Sequence, residues 1–219
     1  MKKKILAISF GLVTSTISLF AQKVISEGTF TYDIAIHNTA DKNAAVTNAS
    51  LTLFLKGTMS RTDMTSNLGS EKTIYDSKAG TAVILKEYSG QKLMITLTKD
   101  NWKEKNKKSE AVSFTDMVEK KEILNYQCTK AAAKLSDGSI ITVYYTKDIT
   151  TQNKEYDPLF KNLNGVPLQY EVETGKLKFT YTINKIDQGN LAQAKFDLPK
   201  TGYRVITYDE NKQGIKKLQ

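Results

Sequence analysis

The chain has 219 residues, 40% hydrophobic and 25% charged, with 12 Gly and 3 Pro. That globular mixture excludes collagen-like, low-complexity and disordered classes, and the length suffices for a core without staples. One Cys excludes a disulfide framework, and one Cys with one His argues against any common zinc set. The net charge of +9 is almost all lysine, since Arg61 and Arg204 are the only arginines. Base and phosphate readers favour the forked guanidinium, so scattered lysine reads as a solvated face, and nucleic acid is not an expected partner.

The chain opens with Lys2, Lys3 and Lys4, an uncharged run from Ile5 to Phe20, and the small residue Ala21. This is the pattern of a secretory signal peptide, with cleavage expected after Ala21. A retained anchor is the rival reading, but the run is shorter than the roughly 20 residues that cross a bilayer. The expectation is a single β-rich domain over 22–219, periplasmic or secreted, and not membrane-spanning once the signal is removed.

Beyond the leader, period-2 alternation dominates. Phe30, Tyr32, Ile34 and Ile36 share one side of a first strand; Leu51, Leu53, Leu55 and Met59 read as a second run. Leu93, Ile95 and Leu97 make a third, Val166 to Val172 a fourth, and Leu177, Phe179, Tyr181 and Ile183 a fifth. Alternate side chains of a strand point to opposite faces, so each run has an apolar and a polar face, as in an antiparallel sheet. Asp137-Gly138 is the strongest hairpin signal, and Ala79-Gly80, Ser89-Gly90 and Thr174-Gly175 join neighbouring runs in the same way. Helix is a minority: one or two turns after Asp157-Pro158, and short helices over Asp100–Lys108 and Thr115–Lys121.

Apolar residues also occupy both faces in places, with Phe54 between Leu53 and Leu55, Met94 between Leu93 and Ile95, and Tyr144 between Val143 and Tyr145. A sheet that lines a cavity on one side has this pattern, and so does a sheet whose second face is covered by its own short elements.

Catalytic signatures are sparse. His37 stands without a fixed partner, and Cys128 lies in an alternating segment where a buried inert thiol is the default. Neither a nucleophile elbow nor a phosphate-binding or dinucleotide glycine loop occurs. Asp209 to Gly214 is similar to the start of a calcium loop and reads as a polar turn. No cofactor, metal or enzymatic activity is expected.

Four segments carry a resemblance, in order: Lys121–Ala131 with Ile123-Leu124-Asn125-Tyr126 and Cys128, Ile140–Thr146, Leu163–Glu171 with Gly165 and Pro167, and Phe196–Tyr203. Together they resemble exported envelope proteins of the domain-of-unknown-function 4412 and GLPGLI type, with Asn125 in place of the usual glycine and without the literal GLPGLI string. The resemblance implies a fold like that of periplasmic lipoprotein carriers (LolA/LolB-like). That fold is a curved antiparallel sheet, or incomplete barrel, covered by a few short helices over an apolar concave face. In carriers of that kind the concave face shelters acyl chains. Gly57 to Arg61 looks like a carrier strand ending in a basic residue, which makes Arg61 the candidate polar gate.

The expected function is therefore an exported non-enzymatic binding protein that shelters a lipid or other hydrophobic ligand. Expected lining residues are Leu53, Leu55, Met59, Leu85, Ile95, Leu97, Tyr144, Phe179 and Tyr181, with parity open to inversion by a one-residue slip. The alternative is an envelope interaction protein with a packed core, no ligand and an envelope protein partner. A hydrolase using carboxylates alone is a third reading that no feature asks for.

Overall fold

The computed structural model describes residues 22–41, 47–110 and 112–216; the expected signal peptide lies outside them. The described elements in chain order are β1 (Lys23–Ile25), β2 (Glu27–Asn38), β3 (Thr47–Lys56), β4 (Met59–Ser66), β5 (Gly69–Asp76), β6 (Thr81–Tyr88), β7 (Gln91–Leu97) and α1 (Lys99–Lys105). They continue with β8 (Thr115–Ile123), β9 (Tyr126–Lys134), β10 (Ile140–Thr146), β11 (Ile149–Thr151), β12 (Val166–Thr174), β13 (Leu177–Asp187), β14 (Arg204–Thr207) and α2 (Tyr208–Lys216). Twelve of these strands form one sheet in the order β14-β7-β6-β5-β4-β3-β2-β13-β12-β10-β9-β8, and β1 pairs with β11 separately. The sheet is not closed into a barrel: β14 and β8 are its edges.

The mainly β architecture with few short helices is as the alternation predicts. The sheet is mixed, however, because β14 runs parallel to β7 and β1 parallel to β11. The glycine turns fall at hairpins: Ser89 and Gly90 take φ of 49° and 79°, and Gly138 takes 88°. Leu124 and Asn125 are also left-handed, at 49° and 62°. Asn tolerates that region where leucine does not, and this tight turn folds β8 onto β9. The expected helix over Thr115–Lys121 is therefore a strand. Backbone pairing with β9, and the Lys147–Asp116 and Lys130–Glu119 ion pairs at 2.7 and 2.6 Å, outweigh its local helical composition. The helix over Asp100–Lys108 is present as α1 followed by a 3₁₀ turn at Lys107–Ser109. Thr98 caps it, accepting from Asn101 N–H at 3.2 Å while Asn101 Oδ1 accepts from Thr98 N–H, a reciprocal box. The polar turn expected at Asp209–Gly214 is instead part of α2, capped by Thr207, whose N–H donates to Glu210 at 2.7 Å.

Register places apolar groups side by side across one face, here the inner face. Phe30 lies beside Leu53, Leu53 beside Thr62, Thr73 beside Ile84 and Ile84 beside Ile95. In the other direction Ile34 lies beside Tyr181, Tyr181 beside Tyr170 and Tyr170 beside Val143. The segment 154–163 is laid over this face and inserts Phe160 and Leu163, which are 4% and 2% exposed, into its core. The helix expected after Asp157-Pro158 is instead a run of turns, with Phe160 N–H bonded to Asp157 O at 3.1 Å, and a 3₁₀ turn at Lys154–Tyr156 precedes it. At the other end of the sheet Trp102 of α1 covers Tyr75, Ile84 and Ile95.

Among the described residues the opposite, outer face has an apolar patch, Ile74, Leu85 and Met94 with Phe54, Met59 and Val83. The strap 188–203 crosses it from β13 to β14 and covers it with Leu191, Phe196 and Tyr203. Polar anchors hold the strap: Lys56 Nζ donates to Leu191 O at 2.6 Å, Arg61 to Lys195 O at 2.5 Å, and the Tyr203 hydroxyl donates to Glu87. Phe54 and Met94 thus lie under the strap outside, while their inward-facing neighbours are covered by 154–163 at Leu53 and Leu55 and by Trp102 at Ile95.

Gly165 begins the return from the covering segment into β12. Its φ is 155°, and a Cβ there would lie 1.9 Å from Thr146 O. Gly165→Ala is expected to cost at least about 3 kcal/mol in urea unfolding. Gly175→Ala, left-handed but in open space, is expected to cost about 1 kcal/mol.

Candidate functional site

Two concave features stand out among the described residues, one within the inner face and one at its α1 end. The smaller is a cavity of about 40 Å³ lined by Tyr32, Leu51, Leu53, Thr62, Tyr156, Asp157, Phe160, Pro167 and Tyr170. It has room for about one water. Its walls are aromatic: Tyr170 stacks on Tyr181 with centroids 4.4 Å apart and meets Phe160 edge-on at 4.8 Å. The Tyr32 hydroxyl donates to Pro167 O at 2.9 Å. Burial raises the phenols of Tyr32, Tyr156 and Tyr170, and pushes Tyr181 up to about 12 with the charges of Asp157 and Glu71 adding to it. Asp157 accepts from Leu159 N–H at 2.9 Å. Burial among these rings raises its carboxyl above the ordinary value, against the pull of that hydrogen bond.

The larger feature is a cleft of about 520 Å³ between α1, the β5–β6 turn and the covering segment. Its lining includes Tyr75, Trp102 and Pro158, with Lys78, Lys99, Lys103 and Lys161 set against Glu110 and Glu155. Tyr75 and Trp102 stack at 4.5 Å and 17°, a flat aromatic floor. The capping box places Trp102, because it fixes the first turn of α1 directly after β7. Asn106 at the end of α1 donates through its side chain to Trp102 O at 2.8 Å. Glu155 is held by Lys161 at 2.6 Å. Burial raises the Tyr75 phenol, and the charge of Glu155 adds to the effect.

The nine residues expected to line one concave face, and Arg61 as their gate, are divided between the two faces of the sheet. Leu53, Leu55, Ile95, Leu97, Phe179 and Tyr181 share the inner face. Leu53 and Leu55 are packed beneath Phe160, Ile95 and Leu97 lie in the cluster with Trp102, and Tyr181 joins the tyrosine stack. Met59, Leu85, Arg61 and Tyr144 belong to the outer face. Met59 and Leu85 lie in the cluster beneath the strap. The run Leu51–Met59 contains a hairpin at Gly57-Thr58, so Met59 pairs with Lys56 and takes the opposite parity from Leu55. Leu85 is the second of two adjacent buried residues, with Ile84 inside and Leu85 outside. Arg61 is no gate to the inner face: it binds both oxygens of Asp63 at 2.6 and 2.7 Å and ties down the strap. Tyr144 donates to Glu119, with Lys121 and Lys130 each 5.5 Å from its ring centre. Cys128 is 1% exposed and burial pushes its thiol up to about 11, which leaves it un-ionised at neutral pH.

Trp102, Tyr75 and Pro158 were outside the expected lining. The signal was the chain's one tryptophan, set beside Lys103, Lys105, Lys107 and Lys108. Nothing in the linear pattern brings Tyr75 or Pro158 to it. Among the described residues no group of three or more His, Cys, Asp or Glu is placed to hold a metal, and no helix is long and apolar enough to cross a membrane.

No family model matches the chain, so its resemblance to the domain-of-unknown-function 4412 and GLPGLI proteins is unconfirmed, and no curated protein is similar to it. Solved structures are similar in fold. PNGF-II matches with a TM-score of 0.52 and 13% identity over 87% of this chain and 34% of that one, so the chain spans about a third of it. An uncharacterized conserved protein from Thermus thermophilus matches at 0.49 and 10% identity, over 82% of this chain and 90% of the other. A LolA superfamily protein from Nitrosomonas europaea matches at 0.35 and 7%, over 79% and 90%. Likeness at these identities is one of architecture alone.

The carboxyl of Asp157 supplies a sign that can be measured. The unfolded chain ionises this group near the ordinary value of 3.8, whereas the folded chain resists until a higher pH. Stability therefore falls as pH rises from about 3.8 through the raised folded value. Asp157→Asn keeps an acceptor for Leu159 N–H and is expected to raise Tm by a few degrees at pH 7, with the gain vanishing below pH 3.8 in melts followed by circular dichroism.

Proposed function

We propose that this is an exported, non-enzymatic binding protein for a hydrophobic ligand, and that the ligand sits in the cleft floored by Tyr75 and Trp102. The observation that carries this reading is the cleft itself: about 520 Å³, with an aromatic stack at its base and Pro158 on its wall. Pockets for small ligands fall between about 300 and 1,000 Å³ and present apolar walls with few polar groups. The inner face between β2, β3 and β12 is a poorer host, because Phe160 and Leu163 already fill it and leave about 40 Å³. Export is supported by the Lys2–Lys4 and Ile5–Phe20 leader. The non-enzymatic reading is supported by the lining, whose Glu155 is held by Lys161 and whose Ser77 hydroxyl donates to Thr58 O at 3.0 Å. The envelope resemblance fits the same reading.

A second reading, an envelope interaction protein, is favoured by one observation: the free edge β8 leaves Val118 98% exposed and Met117 47% exposed. An unpaired edge accepts a strand from another chain.

Native mass spectrometry of the protein purified from its own envelope separates the two. The expected result is an added mass that organic extraction removes, with a change in Trp102 emission on removal. Trp102→Ala is expected to weaken ligand retention about tenfold, the loss of one ring contact of ~1.4 kcal/mol. A ligand-free protein bound to a stable protein partner would favour the second reading.

A further inference from the structure

The cleft carries charge as well as aromatic surface. Lys78 comes from the β5–β6 turn, and Lys99 and Lys103 lie one helical turn apart on α1, so all three line the same cleft. Among the described residues none of the three forms an ion pair, so their charge in the cleft is not neutralised as that of Lys86 is by Glu71 at 2.9 Å or that of Lys178 by Glu171 at 2.8 Å. Of the two glutamates in the lining, Glu155 is already taken by Lys161. Gly80 makes room for one of these cations: the stem of Lys99 packs across it, and a Cβ at Gly80 would lie 3.0 Å from Lys99 Cγ. Cations gathered at a concave, partly apolar surface raise the local positive potential and attract an anion.

The geometry points to an anionic amphiphile as the ligand. Its apolar body lies on Tyr75, Trp102 and Pro158, and its carboxylate or phosphate head lies among Lys78, Lys99 and Lys103. This inference rests on the cleft being the hydrophobic-ligand site proposed above, and it adds the charge of the ligand's head. The body gains about 0.8 kcal/mol for each methylene removed from water, and the head gains charge-assisted hydrogen bonds that an uncharged head does not.

Trp102 is the only tryptophan of the chain, so its emission reports on the cleft without a label. Delipidated protein is titrated with laurate, dodecyl phosphate, dodecanol and inorganic phosphate. Both charged amphiphiles are expected to bind at least tenfold more tightly than dodecanol, and inorganic phosphate is expected to leave the emission unchanged. Lys99→Met/Lys103→Met keeps the stems and is expected to erase the preference while retaining dodecanol binding. Lys200→Met, a distant exposed lysine, is expected to leave the preference intact. Equal affinity for dodecanol and the two anions, or a preference that survives the double substitution, overturns the anionic head while the hydrophobic-ligand reading stands. Inorganic phosphate binding as tightly as dodecyl phosphate overturns the amphiphile. No response of Trp102 to any of the chains overturns the underlying reading of the cleft as well.

Discussion

A sheet twelve strands wide that puts Phe30, Tyr32, Leu53, Ile84, Ile95, Tyr170 and Val143 on one side has to keep that side from water. The rest of the molecule answers this constraint. No long helix is present among the described residues to do it, so irregular chain covers the apolar surface. Residues 154–163 lie over one part of it, while α1 supports Trp102 over the other. The two covers are short and do not merge, and the space between them is the cleft. The candidate site is thus a gap between two covering elements rather than a hollow in the sheet itself.

The outer face follows the same logic in reverse. Its apolar patch is capped by the strap that leads to β14. Arg61 has a structural part in this arrangement. Two of its donors are held by Asp63 while its third nitrogen reaches Lys195 O, so a cation on the outer face fastens the strap rather than attracting a ligand. An ion pair of this kind is weak evidence for stability; what this one supplies is orientation, since Asp63 aims the guanidinium at Lys195 O.

Much of the fold was legible in the chain. Period-2 runs and glycine turns mark most of the hairpins, because both signals are local: alternation reports which side of a strand is covered, and a left-handed turn needs glycine or asparagine nearby. The failures came where a local signal was overridden or incomplete. Thr115–Lys121 has helical charge spacing, yet a Leu124-Asn125 turn commits it to β9. The run to Met59 continues a period that the hairpin at Gly57 reverses. Adjacent apolar residues such as Ile84 and Leu85 say that both faces are covered without saying by what, so parity alone could not group the lining residues. The cleft was the least legible feature, because Tyr75, Trp102 and Pro158 are brought together by three different elements.

The middle of the sheet joins residues remote in the chain: β2, at Glu27–Asn38, is zipped along its length to β13, at Leu177–Asp187. One edge of β2 pairs with the adjacent β3, but its other edge waits for nearly the last strand, and the loop that closes between them holds almost all of the other strands. Ladders between such distant segments form slowly, since the entropy of closing the loop is lost before any contact offsets it. The hairpins on either side of that ladder are local, so the two halves of the sheet fold early and join only once most of the chain is present.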